Sequence, residues 1–65
     1  MKWSEIKRRL KKYGCYKFKE GGNHEKWKSP ITGKLHNVGR HNNQDAPKDA
    51  AIEIFKEMGV PMYDD

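Results

Sequence analysis

Residues 15–28 read Cys15-Tyr16-Lys17-Phe18-Lys19-Glu20-Gly21-Gly22-Asn23-His24-Glu25-Lys26-Trp27-Lys28. Before the glycines, apolar and charged residues alternate. Tyr16 and Phe18 share one face of a strand, and Cys15, Lys17 and Lys19 share the other. After them, the same period of two puts His24, Lys26 and Lys28 on one face and Glu25 with Trp27 on the other. Glycine takes positive φ at little cost, so Gly21-Gly22 suits a tight hairpin turn. The stretch therefore predicts two antiparallel strands, the first buried on its Tyr16/Phe18 side. His24 is then held at a sheet end, close to solvent.

On the N-terminal side, Trp3, Ile6, Leu10 and Tyr13 recur at steps of three or four, which makes one helical stripe. Ser4 is a candidate N-cap and Gly14 a candidate C′ residue. Lys7, Arg8, Lys11 and Lys12 fall opposite the stripe and predict a cationic face. On the C-terminal side, Ser29-Pro30-Ile31-Thr32-Gly33 marks a turn. Lys34 to Val38 reads as a third strand. Leu35 and Val38 are three apart, so burying both calls for a β-bulge at His36/Asn37. A polar loop, Gly39 to Gln44, follows. Asn43 or Asp45 can cap a last helix with Pro47 in its first turn. Ala51, Ile54, Phe55 and Met58 form the apolar side of that helix, and Gly59 ends it. Asp49, Glu53 and Glu57 line its outside, and Met62 to Asp65 read as a frayed tail.

The order is helix, three antiparallel strands, helix. It predicts a single α+β domain over residues 1–65, with two layers and both helices on one sheet face. At 65 residues the chain buries only about 60% of its unfolded surface, so a surface site is expected rather than an enclosed cofactor pocket. One cysteine, Cys15, allows no intrachain disulfide and fits a reducing cytoplasm. No apolar run nears the roughly 18 residues of a membrane span, and Met1 leads into no signal-peptide core.

The net charge is +5 and unevenly placed. Residues 1–44 carry 12 Lys/Arg against 3 Asp/Glu, giving +9; residues 45–65 carry 2 against 6, giving −4. A basic field over helix, strands and loops attracts polyanions, nucleic acid above all. Within it stands His24, whose imidazole has an ordinary pKa of about 6.5 and exchanges protons near neutrality. RNA carries its own nucleophile, the 2′-hydroxyl. Cleavage needs a group to remove that proton, cations to stabilise the phosphorane, and a proton for the leaving 5′-oxygen. His24 is the candidate acid or base. Lys26, Lys28 and Arg40 are candidate phosphate ligands, since a guanidinium fork can grip two oxygens. His36 and His41 are candidates for a second proton carrier. Three other readings stay open: a surface histidine without a role, a non-catalytic RNA-binding module, and a metal site. No spacing among His24, His36, His41 and Cys15 matches a standard zinc pattern, so no metal or other cofactor is expected.

The element order is that of double-stranded RNA-binding domains, which read A-form helices by shape and backbone. More closely, the chain resembles the HicA family of toxins. The matching pieces are Ser4-Glu5 opening a basic helix, Gly14 ending it, Gly22-Asn23-His24 at the strand turn and Lys26-Trp27-Lys28 after it. Arg40-His41 past the third strand and the final helix ending Met58-Gly59-Val60 complete them. The chain departs from the family pattern at four places, one of them an extra residue in the third strand. Glu25 stands where a second histidine is often found, Gly39 where a proline usually precedes Arg-His, and Ala50 where threonine is common. The resemblance implies a dsRBD-like α-β-β-β-α fold and metal-free cleavage of mRNA by one histidine, His24. Around it, Gly22 and Asn23 would lie close to the RNA. The resemblance also implies neutralisation by a HicB antitoxin covering that histidine.

Overall fold

Burial alternates along His24–Lys28: Glu25 and Trp27 are buried while His24 and Lys26 are exposed. The computed structural model describes residues 1–63 and places this strand at the centre of the sheet. The elements are α1 (Trp3–Lys12), β1 (Tyr16–Gly21), β2 (His24–Lys28), β3 (Leu35–Gly39) and α2 (Lys48–Met58). The sheet is open and antiparallel in the order β1-β2-β3. This is the expected α-β-β-β-α architecture. The tail residues 64 and 65 lie outside the described residues.

The register corrects two strand readings. β3 pairs with β2 without a bulge, from His24 opposite Gly39 to Lys28 opposite Leu35. Val38 is buried, Leu35 faces solvent at 44% exposure, and His36 takes the inward place opposite Trp27. The bulge sits instead in β1, between Lys17 and Lys19. Lys17 pairs with Trp27 and Lys19 with Lys26, so Phe18 is the extra residue. Nor is β1 buried on its Tyr16/Phe18 side. All six of its residues are exposed, and only Cys15, just before it, enters the core.

The core joins Ile6 and Leu10 of α1, Trp27 and Val38 of the sheet, and Ala51, Ile54, Phe55 and Met58 of α2. α1 runs along β2: Lys7 meets Glu25, and the Lys11 ammonium lies 5.9 Å from the centre of the Trp27 ring. Four helical residues advance about 6 Å and two strand residues about 6.6 Å, which lets the two elements stay in step. The cationic face of α1 is accordingly narrower than its sequence suggests. Lys7 and Arg9, on the two flanks of the apolar stripe, are buried. Arg9 donates to the Pro61 carbonyl at 2.7 and 3.1 Å.

The helix ends also differ from expectation. α1 begins at Trp3 with Lys2 as N-cap, and the Glu5 carboxylate accepts from the Lys2 amide at 3.1 Å. Pro47 takes the N-cap place of α2, while Asp45 bridges to Lys2. Gly14 and Gly59 have left-handed φ of 89° and 69° at the two C-termini, as read from sequence.

Ser29 locks the turn between β2 and β3 to the end of α2. Its buried hydroxyl donates to the Met58 carbonyl at 2.6 Å and accepts from the Ile31 amide at 3.1 Å. Ser29→Ala would strand both groups. We expect a loss of about 1–3 kcal/mol, seen as a lower urea midpoint at unchanged slope.

Candidate active site

His24 opens β2 at the end of the sheet. Its cross-strand neighbours are Gly21 on β1 and Gly39 on β3. Neither carries a side chain, so the imidazole is not hemmed in from either strand. It is exposed and makes no side-chain hydrogen bond or ion pair among the described residues. The glycine at 39 is demanded by packing: a Cβ there would lie 2.2 Å from the Trp3 ring. The Trp3 indole thus forms a wall beside the histidine.

The turn before His24 is not built on positive φ. Neither Gly21 nor Gly22 adopts the left-handed conformation. A Cβ on Gly22 would meet nothing within 4 Å, so space lies open above it. Two shallow hollows meet at His24 and Asn23. One is lined further by Lys19, Glu20, Gly21, Gly22, Lys26 and Asn37. The other is lined by Trp3, Arg40, His41 and Gln44.

Arg40 straps the two sides of this end together. Its Nη1 donates to the Gly22 carbonyl at 3.1 Å, and its backbone amide donates to the Asn23 carbonyl at 3.3 Å. The loop it belongs to is anchored from below by Lys7. The Lys7 ammonium donates to Asn42 Oδ1 at 2.6 Å and pairs with the Glu25 carboxylate at 3.1 Å. The Trp27 indole donates to the same carboxylate at 2.9 Å. Burial pushes the Glu25 carboxyl up. The hydrogen bonds from Trp27 and Lys7, with the charges of Lys7 and Lys17, outweigh this and hold it below the ordinary carboxylate range. A buried anion thus sits directly after His24 in sequence, on the opposite face of β2, and fixes the strand from beneath.

Gly22, Asn23, His24 and Lys26 come together around one hollow, and Arg40 borders the adjoining one. Lys28 lies at the far end of β2, its ammonium 5.7 Å from the centre of the Phe18 ring. Of the two other histidines, His41 shares a hollow with His24. His36 faces the helices, with Nδ1 bonded to the Asn37 carbonyl at 2.9 Å and Nε2 4.0 Å from Glu53. Cys15 is buried, which pushes its thiol pKa up and leaves it un-ionised. Among the described residues no group of three His, Cys, Asp or Glu is placed to hold a metal ion. Sequence reasoning missed Lys19, whose face the β1 bulge reverses, and Asn37, which faces Lys26 across the ladder. A strict alternation gives no sign of the first; the register with Lys26 is the sign of the second.

No helix among the described residues is long and apolar enough to cross a membrane. No curated protein and no solved structure shows significant similarity to the chain. The family model described as HicA toxin of bacterial toxin–antitoxin matches residues 3–60, nearly the whole sequence. With that match over a helix, three strands and a helix, the chain belongs to the HicA toxin family of bacterial toxin–antitoxin systems.

Proposed function

We propose that this toxin is an endoribonuclease that cleaves mRNA at His24 without a metal ion. The observation that carries this reading is the placement of His24. It is a free, exposed imidazole between two glycines, at the meeting of two hollows that hold Lys19, Lys26 and Arg40. In the proposed reaction the 2′-oxygen attacks the adjacent phosphorus and the bond to the 5′-oxygen breaks. The 2′-hydroxyl proton leaves to a base and the 5′-oxygen gains a proton from an acid. The products are a 2′,3′-cyclic phosphate and a 5′-hydroxyl. His24 serves as base or acid, and Lys26 and Arg40 meet the charge that builds on the phosphate oxygens. His41, on the second hollow, is placed better than His36 for the other proton transfer. Gly22 leaves room for the sugar-phosphate backbone, and Asn23 offers its amide to it. The antitoxin of the pair, a HicB-type protein, acts by covering this end of the sheet.

The test is purified protein with end-labelled mRNA in excess EDTA. Fragments ending in a cyclic phosphate are expected. A mobility shift without fragments would make the protein an RNA-binding module instead, and loss of cleavage in EDTA would reinstate a metal.

A further inference from the structure

The sheet face turned away from the helices has an uncommon composition. The β1 bulge brings Lys19 onto it, beside Lys26 and Asn37. Tyr16, Lys28 and Leu35 form the next row across. Phe18 joins them, since the Lys28 ammonium lies over its ring. Tyr16 and Phe18 are 48% and 54% exposed, high for aromatic residues with a sheet beneath them. Of the described acids of the sheet, Glu25 is buried on the helix side beside Val38, while Glu20 is exposed, pairs with Lys17 at 3.1 Å and borders the hollow at His24. Among the described residues no carboxylate pairs with Lys19 or Lys26. The face therefore presents three lysines and two aromatic rings in its rows, with Glu20, already paired with Lys17, as the one described carboxylate of the sheet at its border.

From this juxtaposition we infer that the open face of the sheet is a track for single-stranded RNA, with bases stacked on Tyr16 and Phe18 and phosphates carried past Lys28, Lys26 and Lys19 to His24. The inference rests on the endoribonuclease reading and adds to it the route and strandedness of the substrate. Aromatic rings stack on any base, and lysines follow a backbone without reading sequence. Every base of a duplex is already stacked in its own helix and has no use for the rings. The four steps from His24 to Lys28 span about 13 Å, room for a short run of nucleotides leading into the site. A protein partner is less favoured, because a face with three cations and a thin apolar strip suits a polyanion better.

The test measures binding by fluorescence anisotropy in a His24→Gln background, so that no probe is cut. The probes are a labelled 12-nucleotide RNA of mixed sequence and the same RNA annealed to its complement. The parent should prefer the single strand. Tyr16→Ala and Phe18→Ala should each weaken single-strand binding roughly tenfold, within the range of one lost base stack, and leave duplex binding unchanged. Lys19→Ala should lower the slope of log affinity against log salt by about 0.7. Equal single-strand affinity in the parent and the Tyr16→Ala/Phe18→Ala variant, with circular dichroism showing both folded, would overturn the track. So would a double variant that keeps RNA binding but no longer forms a complex with its antitoxin, which would make the face a protein-docking surface. If the parent with His24 restored cuts no RNA, the nuclease reading fails separately, and these affinities still decide whether the face binds RNA.

Discussion

His24→Gln is expected to lower RNA cleavage by about 10²- to 10⁴-fold, the usual contribution of a positioned acid or base. Growth inhibition on expression should disappear with it. The fold should be untouched, because the imidazole is exposed and bonded to no other side chain among the described residues. Surface changes of this kind alter stability by no more than about 0.5 kcal/mol. The check is a side-by-side assay of cleavage rate and thermal midpoint. A folded variant that cleaves at the parental rate would remove His24 from the mechanism. His41→Gln is the companion measurement: if that imidazole carries the second proton, it too loses rate at an unchanged midpoint.

The largest stability effect is expected beneath the site. Glu25→Gln keeps an oxygen for the Trp27 indole but removes the counter-charge of Lys7. The two side chains are only 10% and 11% exposed, so water cannot replace the lost partner. Breaking a buried pair costs about 3–5 kcal/mol, and the lower end applies here because Lys7 retains its bond to Asn42. At about 4–8 °C per kcal/mol for a domain of this size, the melting midpoint should fall by more than about 10 °C. Lys7→Met combined with Glu25→Gln should recover most of the loss, since the uncompensated ammonium is gone. Simple addition of two separate penalties would contradict the pairing. Titration gives an independent check. The folded-state pKa of Glu25 lies below its ordinary value. The unfolded chain therefore binds the proton more readily, and the stability from Glu25 is complete above about pH 4.3. It disappears as pH falls through the folded value, so the parent should lose more stability in acid than the double variant does.

The element order was legible because each element advertises one period. The stripe at Trp3, Ile6 and Leu10, the alternation from His24 to Lys28 and the left-handed glycines at 14 and 59 all read directly onto the fold. What failed was whatever depends on a partner strand. Tyr16 and Phe18 alternate like core residues, yet β1 lies at the sheet edge, where the helices leave both faces in water. The bulge was expected in β3 to bury Leu35, but that residue has no core to enter, and the irregularity appears at Phe18. Lys7 looks like any helix-surface lysine. Only the buried carboxylate at Glu25, 18 positions later on another element, shows why its ammonium turns inward. For the site itself, the grouping of Gly22, Asn23, His24 and Lys26 follows from neighbours in sequence around one turn. Lys19, Asn37 and His41 join them through register and loop closure, which no local pattern encodes.

The strap from Arg40 and the anchor from Lys7 bear on when this toxin becomes harmful. Three separate portions of chain must meet before His24 has its surroundings: the first helix, the hairpin and the loop past the third strand. A hairpin alone is marginal in water, and here its buried side is lined by the last helix as well. A chain that has not yet brought these portions together therefore lacks the surroundings in which the proposed cleavage at His24 would occur, and that interval is open to an antitoxin already waiting.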